Sequence, residues 1–254
     1  SRSLVGSEMC IRDRLSRDNS KILGIINLSN DSFTGDGVFN HDEGLKKLLQ
    51  SAKQKDIDFI DIGCASSKPG FDSVTTEEEI ERLNYFINSN QETFTFSIDS
   101  FNPIVVQHAV ENNFEIINDV SGFLNEEMIQ IAVDSKLKII LVHRHPKSES
   151  LHQKMIYKDV VKEVKEHLNS KIKSLISLGV KEEQIAIDPG LGFGKNLSDS
   201  AELLINIKEL KENFPLIVGY SKKKFIKNIP MSNSDLFKHC VDSGVSLVRM
   251  HLTN

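Results

Sequence analysis

Short apolar runs rich in β-branched residues alternate with longer amphipathic stretches along most of the chain. Strands are predicted at 21–28, 57–62, 94–98, 115–118, 138–142, 184–187, 215–218 and 245–250. Helices are predicted between them, at 41–55, 76–89, 102–112, 124–134, 157–178, 198–211 and 233–243. This alternation predicts an α/β fold with a parallel sheet, either open and doubly wound or closed into a barrel. Eight strands favour the TIM (β/α)8 barrel.

Two of the predicted helices carry clear boundary signals. The spacing of Thr76 and Glu79 predicts a capping box at the start of the second helix. Gly179 predicts the end of the longest helix. That helix has an apolar face formed by Val161, Val164, Leu168, Ile172 and Leu175.

The ends of the chain do not continue this pattern. Residues 1–20 have no clear apolar period and no secretory segment, so we interpret them as an extension outside the fold. The eighth strand is predicted to end at 250 in a sequence that ends at Asn254, so the last helix of a barrel is expected to be missing. The predicted domain is therefore a single barrel over 21–254.

Composition and charge narrow the possible partners. The net charge of −5 and the pI of about 5.9 argue against a general nucleic-acid binder. Cys10, Cys64 and Cys240 have neither metal-type spacing nor a disulfide pattern, which fits a reducing cytoplasm. The sequence contains no apolar run of about 18 residues, so no membrane span is predicted.

The segment 188–195, DPGLGFGK, is the most informative motif. An apolar strand runs into Asp188 and then into glycines, which would let the backbone approach whatever the carboxylate binds. A buried carboxylate needs a partner, and a ligand with donor groups is one candidate. A tight turn punctuated by glycine is the alternative interpretation.

Polar side chains also end the other predicted strands, and in a barrel the carboxyl ends of the strands carry the chemistry. Taken singly, these side chains have structural explanations, such as helix caps at Asp99-Ser100 and Asn118-Asp119 or a solvated basic edge at 222–224. Arg249 and His251 could be a surface pair. Together, carboxylates and amides match a heterocycle rich in N–H groups, and the basic cluster matches phosphate oxygens. We therefore expect a nitrogen heterocycle joined to a phosphate-bearing leaving group.

Seven ordered motifs carry a resemblance to the dihydropteroate synthase family. They are GIINLSNDSF (24–33), DIG (61–63) with SKPG (67–70), SIDS (97–100), INDVSG (117–122), DPGLGFGK (188–195), GYSKKK (219–224) and RMH (249–251). The resemblance implies a TIM barrel and a role in folate biosynthesis. It further implies condensation of p-aminobenzoate with 6-hydroxymethyl-7,8-dihydropterin pyrophosphate, which gives 7,8-dihydropteroate and pyrophosphate.

The same resemblance implies a role for individual residues. The pterin would be bound by Asp99, Asn118, Asp188 and Lys223. The p-aminobenzoate side of the site would be lined by Phe33, Ser67, Pro69, Phe193 and Ser221. The pyrophosphate would be bound by Asn27, Lys68, Arg249 and His251, with Asn27 as the Mg2+ contact. Charge stabilisation during the reaction would fall to Asn27, Lys223, Arg249 and His251. The loops at 28–40 and 64–74 would close over the substrates, and a homodimer is expected.

Several positions depart from the family pattern. Ala65 and Lys68 replace a glutamate and an arginine, and Asn30 replaces a proline. Arg144 stands where a methionine is common, and Lys224 where a serine is common. These departures keep open an altered-substrate or non-catalytic pterin-binding relative. A pterin-dependent methyltransferase is a further alternative, although it would not need the motif at 221–223 or the pair Arg249 and His251.

Overall fold

The computed structural model describes residues 21–28, 39, 41–65, 74–90 and 92–252. Within these residues there are eight strands and seven α-helices. The strands are β1 (Ile22–Asn27), β2 (Phe59–Gly63), β3 (Thr95–Asp99), β4 (Ile116–Asp119), β5 (Lys138–Val142), β6 (Ile185–Asp188), β7 (Ile217–Gly219) and β8 (Leu247–His251). The helices are α1 (Asp42–Gln54), α2 (Thr76–Ser89), α3 (Pro103–Glu111), α4 (Glu126–Ser135), α5 (Val160–Ser177), α6 (Leu197–Ile205) and α7 (Asn233–Asp242).

All eight strands are parallel and follow the order β6-β5-β4-β3-β2-β1-β8-β7. The two edge strands then meet through a single bridge between Ile187 and Leu216. A hydrogen bond of 2.9 Å from the Ile187 amide to the Pro215 carbonyl reinforces this bridge. The sheet is thus a nearly closed TIM barrel, which confirms the predicted fold class. We call the junction between β6 and β7 the seam. It is held by this one bridge, whereas all other neighbouring strands are joined by ladders of several residue pairs.

Two apolar cores follow from the alternation of side chains along each strand. One fills the barrel, with Leu23, Phe59, Ile116, Val120, Ile140, Val142, Ala186, Ile217 and Leu247. The larger one lies between the sheet and the helices and includes Ile60, Ile98, Ile117, Ile139 and Val248. Because the inner core fills the barrel, polar side chains at the carboxyl ends of the strands rest on a packed apolar floor.

The predicted capping box was wrong in position by one residue. The capping box at the start of α2 is formed by Thr75 and Glu78, one residue earlier than predicted. The hydroxyl of Thr76 instead accepts a hydrogen bond of 2.9 Å from the side chain of Asn102. The carboxylate of Glu79 accepts one of 3.2 Å from the hydroxyl of Ser100.

The helix predicted at 198–211 is divided in two. The α-helix α6 ends at Ile205, and a 3-10 helix follows at Ile207–Leu210. The break lies at Asn206, whose side-chain amide donates 3.0 Å to the carbonyl of Glu202. A short amide side chain competes in this way for backbone groups, and the helix therefore ends there. The predicted end of the longest helix is confirmed, since α5 is followed by Gly179 at a φ of 109°.

In the described part of the chain, the helices all fall short of the length and apolarity needed to cross a membrane. The predicted extension at 1–20 lies outside the described residues.

Candidate active site

A layer of buried polar side chains lies above the inner core. The exposed fraction is 0% for Asp61 and Asn118, 3% for Asp188 and 7% for Arg249. They belong to four different strands, β2, β4, β6 and β8. Since polar groups are costly to bury, such a layer indicates a site rather than a structural core.

Arg249 is the centre of this layer. Its Nη2 donates to a carboxylate oxygen of Asp61 and, over 2.7 Å, to one of Asp99. The Asp61 oxygen also accepts 3.0 Å from the side-chain amide of Asn118. One cluster of hydrogen bonds therefore joins β2, β3, β4 and β8 across the barrel. We refer to Asp61, Asp99, Asn118 and Arg249 as the arginine cluster.

Asp61 was not predicted as a site residue, although it lies in one of the seven motifs. Its signal in the sequence is a carboxylate inside an otherwise apolar strand, FIDIG. A fully buried carboxylate needs a partner, yet the partner lies 188 positions away in the chain. Spacing along the sequence therefore gave no indication of the pair.

The arginine cluster leaves several of its own atoms unsatisfied. Within the described residues, Asp61 Oδ1, Asn118 Oδ1 and Arg249 Nε are buried without a hydrogen-bond partner. The Ser97 hydroxyl, next to Asp61 in the sheet register, is in the same condition. Unpaired buried polar atoms cost about 1–3 kcal/mol each, so they mark places where a polar ligand gains affinity. Two acceptors and one donor at this position suit a flat heterocycle with both kinds of group.

The protonation of Asp99 is finely balanced. Burial raises the pKa of its carboxyl to about 7, with Arg249 opposing and Asp61 reinforcing the shift. The side chain is nevertheless 20% exposed, so it lies where the cluster meets the mouth of the barrel. Near neutral pH this group can accept a hydrogen bond as a carboxylate or donate one as a carboxylic acid.

Asp188 and Lys223 form the second half of the site. One carboxylate oxygen of Asp188 accepts 2.7 Å from the amide of Gly190. Burial raises the pKa of Asp188, while the positive charges of Lys223 and Arg249 oppose the shift. Burial lowers the pKa of Lys223 to about 8, and the charge of Asp188 opposes that shift. The two groups therefore stabilise each other's charged form.

The loop at 190–193 brings an aromatic ring to the same place. The ammonium of Lys223 lies 4.9 Å from the centre of the Phe193 ring and donates to the carbonyl of Leu191. A cation over an aromatic face is attracted by the ring. Phe193 and Lys223, predicted to contact different substrates, are thus neighbours.

Lys195 holds this loop from below and was missed as a functional residue. Its ammonium lies 3.0 Å from His143 Nδ1, 3.0 Å from the carbonyl of Gly190 and 3.1 Å from that of Phe193. Gly190 has a φ of +66°, and a Cβ there would lie 2.3 Å from the carbonyl oxygen of His143. The backbone therefore fits here only as glycine. Burial lowers the pKa of Lys195 to about 7.

The residue pairs at the ends of β3 and β4 divide two tasks between them. Asp99 and Asn118 join the arginine cluster. Ser100 instead accepts 3.1 Å from the amide of Asn102, and Asp119 accepts from the amides of Ser121 and Phe123. The helices that follow are capped by Asn102 and Asn125, so the interpretation of these pairs as helix caps was wrong. The functional roles of Asp99 and Asn118 stay predictions.

The remaining predicted residues lie around the mouth. His251 Nδ1 is 3.1 Å from the hydroxyl of Ser221. Asn27, at the end of β1, faces Gly63, where an added Cβ would lie 3.1 Å from the Asn27 Oδ1. Lys224 is exposed at the start of a 3-10 helix. Arg144 donates 3.0 Å to the carbonyl of Ser148 and does not join the arginine cluster. The predicted residues Phe33, Ser67, Lys68 and Pro69 lie outside the described part of the chain.

Comparison with known proteins finds related sequences and related folds. Residues 23–251 match the model of a family described as pterin binding enzyme. Dihydropteroate synthase of Synechocystis is 34% identical over 82% of this chain and 73% of its own length. The solved structure of the Anaplasma phagocytophilum dihydropteroate synthase with 6-hydroxymethylpterin-monophosphate is 30% identical, covers 91% of this chain and 93% of that one, and superposes with a TM-score of 0.74. The Xanthomonas albilineans enzyme with 4-aminobenzoic acid is 27% identical, covers 92% and 88%, and has a TM-score of 0.77.

Replacement of Asp61 tests the arginine cluster. Asp61→Ala should lower the free energy of unfolding by about 3–5 kcal/mol, because it leaves Arg249 buried with one carboxylate fewer. Asp58→Ala, an exposed aspartate in the same region, should change it by about 0.5 kcal/mol or less. Urea denaturation measures both. The double variant Asp61→Ala/Arg249→Met should cost less than the sum of the single variants, and strict additivity would contradict the pairing.

The lowered pKa of Lys195 predicts how the stability of the fold depends on pH. Its pKa is lowered from 10.5 to about 7 in the folded protein, so the unfolded chain binds more protons between these values. The buried charge therefore destabilises the fold below pH 7, and this cost disappears as the pH rises toward 10.5. The stability of the wild type relative to Lys195→Met should thus increase over that range. Thermal melts at several pH values measure this difference, and the same comparison with exposed Lys208→Met should be flat. If the stability difference between the wild type and Lys195→Met also stays constant with pH, burial does not lower the pKa of Lys195.

Proposed function

Since the chain belongs to the family of pterin-binding enzymes, we propose that it is a dihydropteroate synthase. It would condense p-aminobenzoate with 6-hydroxymethyl-7,8-dihydropterin pyrophosphate and release pyrophosphate. The observation that carries the proposal is the arginine cluster beside the pair Asp188 and Lys223. The buried acceptors and cations of this arrangement are near enough to interact, which supports binding of a heterocycle with an anionic leaving group.

The pterin would lie between the two halves of the site. Asp188 accepts from donors on the guanidine-like edge of the ring, and the positive charge of its neighbour Lys223 favours the carboxylate form. Asn118 offers its unpaired Oδ1 to a ring N–H group. Asp99 faces the opposite edge and can accept or donate, because its pKa lies near 7. This assignment satisfies buried atoms that the protein leaves without partners.

The pyrophosphate would lie toward Arg249, His251 and Asn27. Arg249 keeps an unpaired buried Nε. Burial opposes the positive charge of its guanidinium, but the carboxylates of Asp61, Asp99 and Asp188 outweigh burial and raise the pKa. A permanently charged, planar donor suits phosphate oxygens. His251 and Ser221 add polar groups at the same strand ends.

The reaction then needs no nucleophile from the protein. The amine nitrogen of p-aminobenzoate forms a bond to the methylene carbon beside the pterin ring. The carbon–oxygen bond to the pyrophosphate breaks, its electron pair leaves with the oxygen, and the amine loses a proton. The protein contributes orientation of the two substrates and stabilisation of the developing charges. Phe193, held by its contact with Lys223, would form part of the p-aminobenzoate side.

Asn27 suits a magnesium ion bound together with the pyrophosphate. Its amide oxygen is a hard donor, and Gly63 leaves the space beside that oxygen open. Mg2+ in such sites takes few protein ligands and completes its shell with phosphate oxygens and water. When bound, the ion would neutralise charge on the leaving group.

Two alternative functions have less support than the synthase. A pterin-dependent methyltransferase would share the ring pocket, but it would not require Arg249 and His251 at the ends of β8 beside Ser221. A non-catalytic pterin-binding protein would share all the described geometry. Turnover separates it from the synthase.

The direct test is pyrophosphate release by the purified chain. We expect release from the pterin pyrophosphate only when p-aminobenzoate is present, because the amine is the nucleophile. A coupled phosphate assay with inorganic pyrophosphatase measures it. Pterin binding without any p-aminobenzoate-dependent turnover would support the non-catalytic function instead.

A binding measurement tests the ring pocket separately. Asp188→Asn should weaken binding of 6-hydroxymethylpterin by about 10–100-fold, because a charge-assisted hydrogen bond to a buried carboxylate is lost. Isothermal titration calorimetry gives the affinity. Asp242→Asn, which removes an exposed carboxylate at the end of α7, is the matched control and should bind as the wild type does. Unchanged affinity of Asp188→Asn would refute the pocket assignment.

A further inference from the structure

A second cavity lies beside the mouth of the barrel, outside the site described above. It is bounded by the loops after β4 and β5 and by one face of α5, and its volume is about 290 Å³. The polar side chains that line it include Ser121, Arg144, His145, His167 and Lys171. Residues of the arginine cluster do not line it, and neither do Asp188 and Lys223. We call it the side cavity.

The lining of the side cavity is positive on one part and apolar on another. Arg144 and Lys171 supply the charges, and every titratable lining residue is a base, since aspartate and glutamate are absent from the described lining. Leu124, Leu141 and Leu168 supply an apolar wall, and Leu124 is 58% exposed. A pocket with a mainly apolar wall and a few convergent polar groups is typical of a small-molecule site.

Two carboxylates outside the cavity act on its bases from a distance. Asp119 acts on Lys171, and its two oxygens accept from the amides of Ser121 and Phe123. Glu163 acts on His145 and His167, and its Oε1 accepts from the amides of Lys158 and Asp159. Among the described residues, neither carboxylate forms an ion pair with Arg144 or Lys171, so both cations can pair with a bound anion.

Arg144 is the strongest anchor for such a ligand. Its Nη2 donates to the carbonyl of Ser148, a neutral acceptor, and its buried Nε has no hydrogen-bond partner among the described residues. Arg144 also forms no ion pair with a carboxylate in the described part of the chain. A guanidinium in this state gains most from a bound oxyanion. Binding of an oxyanion would explain why this chain has an arginine at 144, where the dihydropteroate synthase pattern has a methionine.

We propose that the side cavity binds a small organic anion, with a carboxylate on Arg144 and Lys171 and an apolar body against Leu141 and Leu168. This binding does not depend on the proposed function, because it involves different residues and needs no turnover. His143 separates the two sites, with Nδ1 3.0 Å from Lys195 and Nε2 3.3 Å from His167.

The test uses 4-fluorobenzoate as the probe, followed by 19F NMR on the whole chain. Arg144→Met should weaken binding of the probe by about tenfold or more, because it removes a charge-assisted hydrogen bond. Lys171→Met should weaken it by a few-fold, since Lys171 already donates 2.7 Å to the carbonyl of Phe123. Lys173→Met removes the same charge from the same helix outside the cavity and should stay within about twofold of the wild type.

A second variant separates the loss of a binding contact from a failure of Arg144→Met to fold. Arg144→Lys keeps the charge but not the planar fork, so its affinity should lie between those of the wild type and Arg144→Met. Wild-type affinity in both Arg144 variants would overturn the proposal, because the probe would then be bound elsewhere, for example with the p-aminobenzoate side of the active site. Displacement of the probe by inorganic phosphate at a lower concentration than by unlabelled benzoate would also overturn it, since the apolar body would then contribute nothing. Failure of the pyrophosphate-release assay would leave these results unaffected.

Discussion

The buried charge of Arg249 is the constraint on which the site depends. A guanidinium inside a barrel must be compensated, and here two carboxylates from two other strands compensate it. This requirement fixes the positions of Asp61 and Asp99, and Asn118 is fixed in turn by its bond to Asp61. The strand ends are therefore positioned by each other as well as by the backbone. A pocket whose walls are tied together in this way is ready before a ligand arrives.

Charge balance explains why the second half of the site lies where it does. Asp61, Asp99 and Asp188 face Arg249, Lys195 and Lys223, so three potential anions meet three potential cations. Burial moves the pKa of Asp99, Lys195 and Lys223 to between about 7 and about 8. Small changes of surroundings can then change the protonation of these groups. Such responsiveness is useful in a site where charge shifts from one substrate to a leaving group.

Much of this arrangement could be predicted from the sequence, because it follows from local rules. The period of apolar residues predicted every strand within a few residues. The rule that strand ends carry the chemistry drew attention to Asp188, Arg249 and the pairs Asp99-Ser100 and Asn118-Asp119, and the family resemblance chose among them. The partners of these residues could not be predicted. Asp61 and Arg249 meet because β2 and β8, which are far apart in the sequence, lie on either side of β1 in the sheet. Lys195 reaches His143 only because the glycine loop turns back on itself. The capping box at Thr75 was misplaced for a similar reason, since contacts with Asn102 and Ser100 from another part of the chain occupy Thr76 and Glu79.

The seam of the barrel gives the site a mechanical property. β6 and β7 are held by one bridge, and Asp188 lies at the end of β6 while Lys223 lies shortly after β7. The attraction between these two side chains therefore spans the weakest junction of the sheet. A molecule that binds both of them takes the place of the hydrogen bonds that the two strands lack. The bound molecule would then help to hold β6 and β7 together. Its release would weaken the contact between these two strands and leave the pairing of the other strands unchanged.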